Sequence, residues 1–129
     1  MSLRVSGPNL EQTVTEVAVL DQVLDACELQ LTEPSLIKLT GLTSTLSIGL
    51  GDPAGSVALY LDEDRRPWTA HGEAQPDPTG RQFTTNDAAY GFYPSATITI
   101  ADARHAAREF LATGHKPTSL QWSPEPAAG

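Results

Sequence analysis

Few side chains in this sequence could do chemistry, and their spacing argues against most of it. His71, His105 and His115 have no partner at metal-ligand spacing, so a zinc site, which needs three or four convergent ligands, lacks a source for them. His105 and Glu109 stand one helical turn apart and could share an ion pair or two ligand positions; a solvated pair is the better reading, because no cluster supplies the further ligands. Cys27 is the only cysteine, which excludes an intrachain disulfide and a thiolate cluster. Nothing around it in sequence would lower its pKa, and it reads as a small buried apolar residue. Gly49, Gly51 and Gly55 follow a strand and invite comparison with a nucleotide-binding loop. That loop must open into a helix facing the anion, whereas here an alternating strand follows, the Lys-Ser/Thr pair is absent, and Asp52-Pro53 marks a hairpin turn. With no Gly-x-Ser-x-Gly elbow either, the expectation is no catalytic residue, no metal, no cofactor and no enzymatic activity.

Contact residues are better represented. Sixteen Asp and Glu against eight Lys and Arg leave a net charge of −8, the wrong sign for binding a phosphate backbone, so nucleic acid is not an expected partner. Residues 1–64 hold ten acids and two bases (net −8) and residues 65–129 hold six of each (net zero), so the N-terminal half carries the whole excess. Such a surface steers a basic partner in by long-range attraction; solubility alone is the plainer explanation of the same acidity. Asp62, Glu63 and Asp64 beside Arg65 and Arg66 read as a solvated turn or as a binding site. Trp68 and the set Tyr90, Phe92 and Tyr93 read either as core or as contact hot spots.

The elements that must position these residues are those of an α+β domain. Hydrophobic residues at 40% and charged residues at 19% suit a globule with a core, and residues 1–122 read as a single domain followed by a flexible Pro/Ala-rich tail, 123–129. No apolar stretch approaches the roughly 20 residues of a membrane helix, and Met1 to Gly7 lacks the basic start and apolar run of a signal peptide, so a cytoplasmic protein without a membrane partner is expected. Val17, Leu20, Val23, Leu24 and Cys27 recur at helical steps with Asp21, Asp25 and Glu28 outward, predicting a helix over 17–29. Ala103, Ala106, Ala107, Phe110 and Leu111 predict a second over 101–113, with Thr99 and Asp102 as its capping pair and Gly114 and Pro117 as its stop. Alternation predicts strands at 36–42, 46–50 and 57–61, each with one strongly apolar face, then at 68–73, with further short pieces at 82–85, 97–100 and 119–122. Gly7 and Pro8 break the N-terminal stretch into β-prone pieces near 3–5 and 13–17. Together these predict a single antiparallel sheet of about five or six strands packed against the two main helices.

Read in order, several of these pieces resemble the first immunity-protein family of bacterial polymorphic toxin systems. They are Val19-Leu20-Asp21-Gln22-Val23-Leu24-Asp25, Leu46-Ser47-Ile48-Gly49-Leu50-Gly51-Asp52-Pro53, Ser56-Val57, Tyr60-Leu61-Asp62, Pro67-Trp68 with Gly72, and Arg108-Glu109-Phe110-Leu111-Ala112-Thr113-Gly114 with Pro117 and Trp122. The resemblance covers about residues 14–122. Where the family often has Glu-Phe-Pro, this chain reads Tyr90-Gly91-Phe92-Tyr93-Pro94 and lacks the acid.

The resemblance implies an α+β protein encoded beside a toxin, often a deaminase acting on nucleic-acid bases, and neutralising it by occluding its active site. The expected partner is that cognate toxin domain, basic because it must hold a polyanion. The residues expected at the contact are Asp52, Asp62, Glu63, Asp64 and Glu73 at the rim, with Trp68 and Tyr90 as anchors. Two other classes compete. A small-molecule-binding or enzymatic α+β domain would show a concave apolar pocket with convergent polar groups, and an acidic adaptor subunit would show an exposed apolar patch.

Overall fold

The structure is a computed structural model and describes residues 2–8, 10–53, 55–71, 81–85, 88–92 and 96–124. Alternating apolar residues build its centre. Strands β3 (Ser35–Thr40) and β4 (Thr45–Leu50) pair antiparallel with Ile37 opposite Ile48 and Leu39 opposite Leu46, all four fully buried. On one side lie β1 (Leu3–Gly7) and β2 (Leu10–Val14), and on the other β5 (Ala58–Leu61), β6 (Pro67–His71) and β9 (Gln121–Pro124). The order is β2-β1-β3-β4-β5-β6-β9, antiparallel throughout. A hairpin of β7 (Arg81–Thr84) and β8 (Ala89–Phe92) joins through one parallel pairing, Ser35 with Thr84.

The α+β class and the antiparallel sheet agree with expectation, but among the described residues the sheet has nine strands rather than five or six. Gly7 and Pro8 do break the N-terminal stretch, at the end of β1 and in the turn after it, but the second piece is the strand Leu10–Val14 rather than 13–17, and the two pieces pair with each other. Tyr90 and Phe92 of the aromatic stretch lie in a strand, β8, with Tyr90 opposite Phe83. The last strand lies two residues later than expected and takes in Ser123 and Pro124, paired with Thr69 and Trp68. Residues 97–100, in contrast, form no strand. Ile98 makes a single bridge to Ser56, with both N–H···O bonds at 2.9 Å, and the chain then turns into a helix because the Thr99 side chain satisfies the helical N–H of Asp102.

Helix α1 (Val17–Gln30) buries Leu20, Val23, Leu24 and Cys27, while Val17 is exposed. Helix α2 (Ile100–Thr113) buries all five expected residues; Thr99 accepts the Asp102 N–H at 2.9 Å, and Gly114 closes the helix at φ 73° with its N–H on the Phe110 carbonyl. The alanines of α2 let it lie close over the sheet, where Phe110 meets Tyr60 edge-on with ring centroids 6.0 Å apart. Asp21, Asp25 and Glu28 do not simply face solvent. Arg104 of α2, 12% exposed, reaches Asp25 at 2.9 Å and Glu28 at 3.2 Å, and Arg108 reaches Asp21 at 2.9 Å. Three of the acids behind the N-terminal excess therefore clamp one helix to the other.

Both helices cover the same face of the sheet, and the β7–β8 hairpin covers part of the other. There Phe83, fully buried, packs with Leu36 and Val57. The ring lies directly on Gly49: a Cβ at that position would come within 2.5 Å of Phe83. Only glycine leaves the hairpin room to dock.

Candidate binding surface

The acidic turn between β5 and β6 divides its carboxylates between two tasks. Asp62 is spent on structure, its Oδ1 accepting the backbone N–H groups of Asp64 (2.9 Å) and Arg66 (2.8 Å) and its Oδ2 the indole N–H of Trp68 (3.0 Å). The Trp68 bond first, then that from Arg66, hold its carboxyl below the usual carboxylate range. Arg65 adopts a left-handed conformation (φ 65°) to close the turn, with its N–H on the Asp62 carbonyl. Glu63 and Asp64 are exposed, and their carboxylates have no partner among the described residues.

Trp68 packs at the margin of the helix-side core, and the ammonium of Lys116 lies 3.6 Å from its ring centroid. Trp122 donates its indole N–H to the Pro117 carbonyl at 2.8 Å. His105 and Glu109 do not form the pair their spacing allows. Glu109 instead accepts the Thr118 N–H and hydroxyl (2.6 and 2.9 Å) and the Ser119 N–H (3.2 Å), tying down the loop after α2. Burial pushes its carboxyl up, but the bonds from Thr118 and Ser119 outweigh that and leave it lowered. His71 bonds Ser123 across β6 and β9. Burial, with Glu28 alongside, pushes the Cys27 thiol up, away from thiolate reactivity. Among the described residues no three His, Cys, Asp or Glu side chains converge as metal ligands.

Among the described residues a large concavity lies on the sheet face away from the helices. It is a groove of about 520 Å³ between strands β3 to β6 and the β8 side of the hairpin, with Leu36, Leu59, Leu61, Tyr90 and Phe92 among its walls and Lys38 within it. Register explains the grouping: Lys38 stands opposite Ser47, Ser47 opposite Leu59, and Leu61 opposite Pro67, and residues directly opposite share a face. The apolar alternation of 57–61 therefore has a different meaning from the one expected. In β5 it is Ala58 and Tyr60 that bury against the helices, while Leu59 and Leu61 are half-buried towards the groove.

The structure brings together Asp62, Glu63, Asp64 and Trp68 at one end of β5. Tyr90, 49% exposed, stands on the groove wall, across the sheet from the Trp68 ring. Asp52 lies at the opposite end of β5, in the β4–β5 loop, where its carbonyl accepts the Gly55 N–H at 3.3 Å. Glu73 lies outside the described residues, as do Gly72 and Tyr93. Phe92 was among the aromatics read as core or contact, but Lys38, Leu59 and Leu61 were not expected at a site. For Leu59 and Leu61 the alternation in β5 was the signal, and it does not tell a groove from a core; Lys38 gave none.

Fold and surface together define an acidic α+β protein whose sheet carries two helices on one face and an open groove on the other. The family model described as immunity protein Imm1 matches residues 7–124, and the chain belongs to that family. Membership implies a toxin as the partner. No curated protein matches the chain. Among the described residues no helix is long and apolar enough to cross a membrane.

Proposed function

We propose that this chain acts in the cytoplasm of the cell that makes it, binding a cognate toxin domain and neutralising it by occluding its active site, with no catalysis of its own. Membership of the Imm1 family over residues 7–124 is the observation that carries this reading. The chain's chemistry supports it. A nucleic-acid base deaminase, the toxin class proposed here, must hold a polyanion and so presents a basic channel. A protein of net charge −8 with the unpaired carboxylates of Glu63 and Asp64 at one end of its sheet suits such a channel.

The test is to express the toxin domain encoded beside this gene with and without the chain, and to titrate deamination of a single-stranded oligonucleotide against added protein. Protection of cells, with inhibition complete at one chain per toxin, is the expected result. Inhibition at far less than one equivalent would mean that the chain turns over and is an enzyme. Undiminished killing in its presence would overturn the reading altogether.

A further inference from the structure

Lys38 is exposed on β3 and has no acidic partner among the described residues, in a chain with sixteen acids and eight bases. Lys38 lines a large groove of the sheet face, in the same cross-strand row as Ser47 and Leu59. At the end of that groove stand Leu61 and Pro67, which flank the acidic turn and so bring the unpaired Glu63 and Asp64 to its mouth. The groove therefore combines a positive point, an apolar floor and a negative rim. Its outer wall is fixed: Phe83 locks the hairpin onto Gly49, Phe92 packs against Phe83 with centroids 6.1 Å apart, and Tyr90 is held beside the opening.

We infer that this groove is where the toxin docks, and that it receives a toxin loop carrying an apolar side chain between an acid and a base. The apolar side chain enters between Leu59 and Tyr90, the acid meets Lys38, and the base meets Glu63 and Asp64. The inference rests on the proposed toxin-binding function and adds the surface and the chemistry of the segment it takes. The charge pattern selects the occupant, because a plain apolar peptide would leave Lys38 desolvated without a counter-charge, at a cost to binding. A volume of about 520 Å³ lies within the range of preformed pockets, roughly 300–1,000 Å³, and holds a few side chains rather than a folded element.

The probe is the toxin domain encoded beside this gene, with binding kinetics measured by surface plasmon resonance and folding checked by thermal melts. Tyr90→Ala should speed dissociation about thirty-fold, the equivalent of the roughly 2 kcal/mol that marks a hot spot. Lys38→Glu should weaken affinity at least about ten-fold, with the melt unchanged because Lys38 has no partner to lose. Leu42→Ala, at a turn residue 92% exposed and outside the groove, should leave affinity unaltered. If the wild-type chain binds and both Tyr90→Ala and Lys38→Glu bind within two-fold of it, the toxin docks elsewhere and the inference fails while the proposed function stands. If the wild-type chain does not bind the toxin, both fall together.

Discussion

Gly49→Ala should loosen the hairpin that walls the groove. The added Cβ would lie 2.5, 2.6 and 2.8 Å from three atoms of the Phe83 ring, where carbon atoms ordinarily rest about 3.5–4.0 Å apart. Phe83 is fully buried against Leu36 and Val57, so relieving the clash means displacing a packed ring or lifting the hairpin that carries it. Overpacking of this kind costs about 1–3 kcal/mol, and a clash of about 1 Å against an immobile ring belongs at the upper end. Replacing glycine recovers about 0.4–1 kcal/mol by restricting the unfolded chain, leaving a net loss of about 2 kcal/mol. With an unfolding entropy near 2.1 cal/mol/K per residue, 129 residues amount to about 270 cal/mol/K, so Tm should fall about 7 °C. Calorimetry on the wild-type chain, Gly49→Ala, Phe83→Ala and the double variant measures this. Phe83→Ala alone should cost about 3–5 kcal/mol, and on that background Gly49→Ala should be neutral or stabilising. A Gly49→Ala melt within about 1 °C of wild type, or an equal penalty in both backgrounds, would refute the contact.

Glu63→Lys with Asp64→Lys should slow association with the toxin and flatten its salt dependence while leaving the melt unchanged, whereas Asp62→Ala should lower the melt by freeing the turn N–H groups and the Trp68 indole; kinetics at low and high salt paired with melts separate the two. Arg104→Met should destabilise by about 1 kcal/mol, since its carboxylate partners are partly solvated, and the loss should grow as salt is lowered because Asp25 and Glu28 then lose their partner while Asp21 keeps only Arg108; urea melts at two ionic strengths read it. Asp62 and Glu109 both have lowered carboxyl pKa values in the folded chain, so the stability they contribute is complete above the unfolded values of 3.8 and 4.5, respectively, and is lost as pH falls through the lower folded ones. Glu109→Gln should shrink that acid-side loss, measured by chemical denaturation from pH 6 to pH 3 (roughly the carboxylate range), and an unchanged pH profile would show that the loop bonds do not depend on the charge.

Much of this molecule is legible in local sequence because helices and strands impose their own periods. The three- and four-residue steps of Leu20, Val23, Leu24 and Cys27, and of Ala103 to Leu111, mark two buried helix faces, and Thr99 with Gly114 marks the ends of the second. The alternation of Leu46, Ile48 and Leu50 marks a strand at the centre of the sheet. Local period does not say which face of a strand meets the helices. In β5 the larger apolar pair, Leu59 and Leu61, went to the groove because Tyr60 could meet both Phe110 and Trp122 on the other side, a choice made by residues some 50–60 positions away. Charge shows the same division. Composition alone determines a net of −8, but only tertiary contacts decide that Asp21, Asp25 and Glu28 are spent on Arg104 and Arg108, that Asp62 is spent on its own turn, and that Glu63 and Asp64 remain free. A binding surface consists of what folding leaves unpaired, and pairing across a sheet or between helices is set by three-dimensional proximity that sequence spacing does not encode.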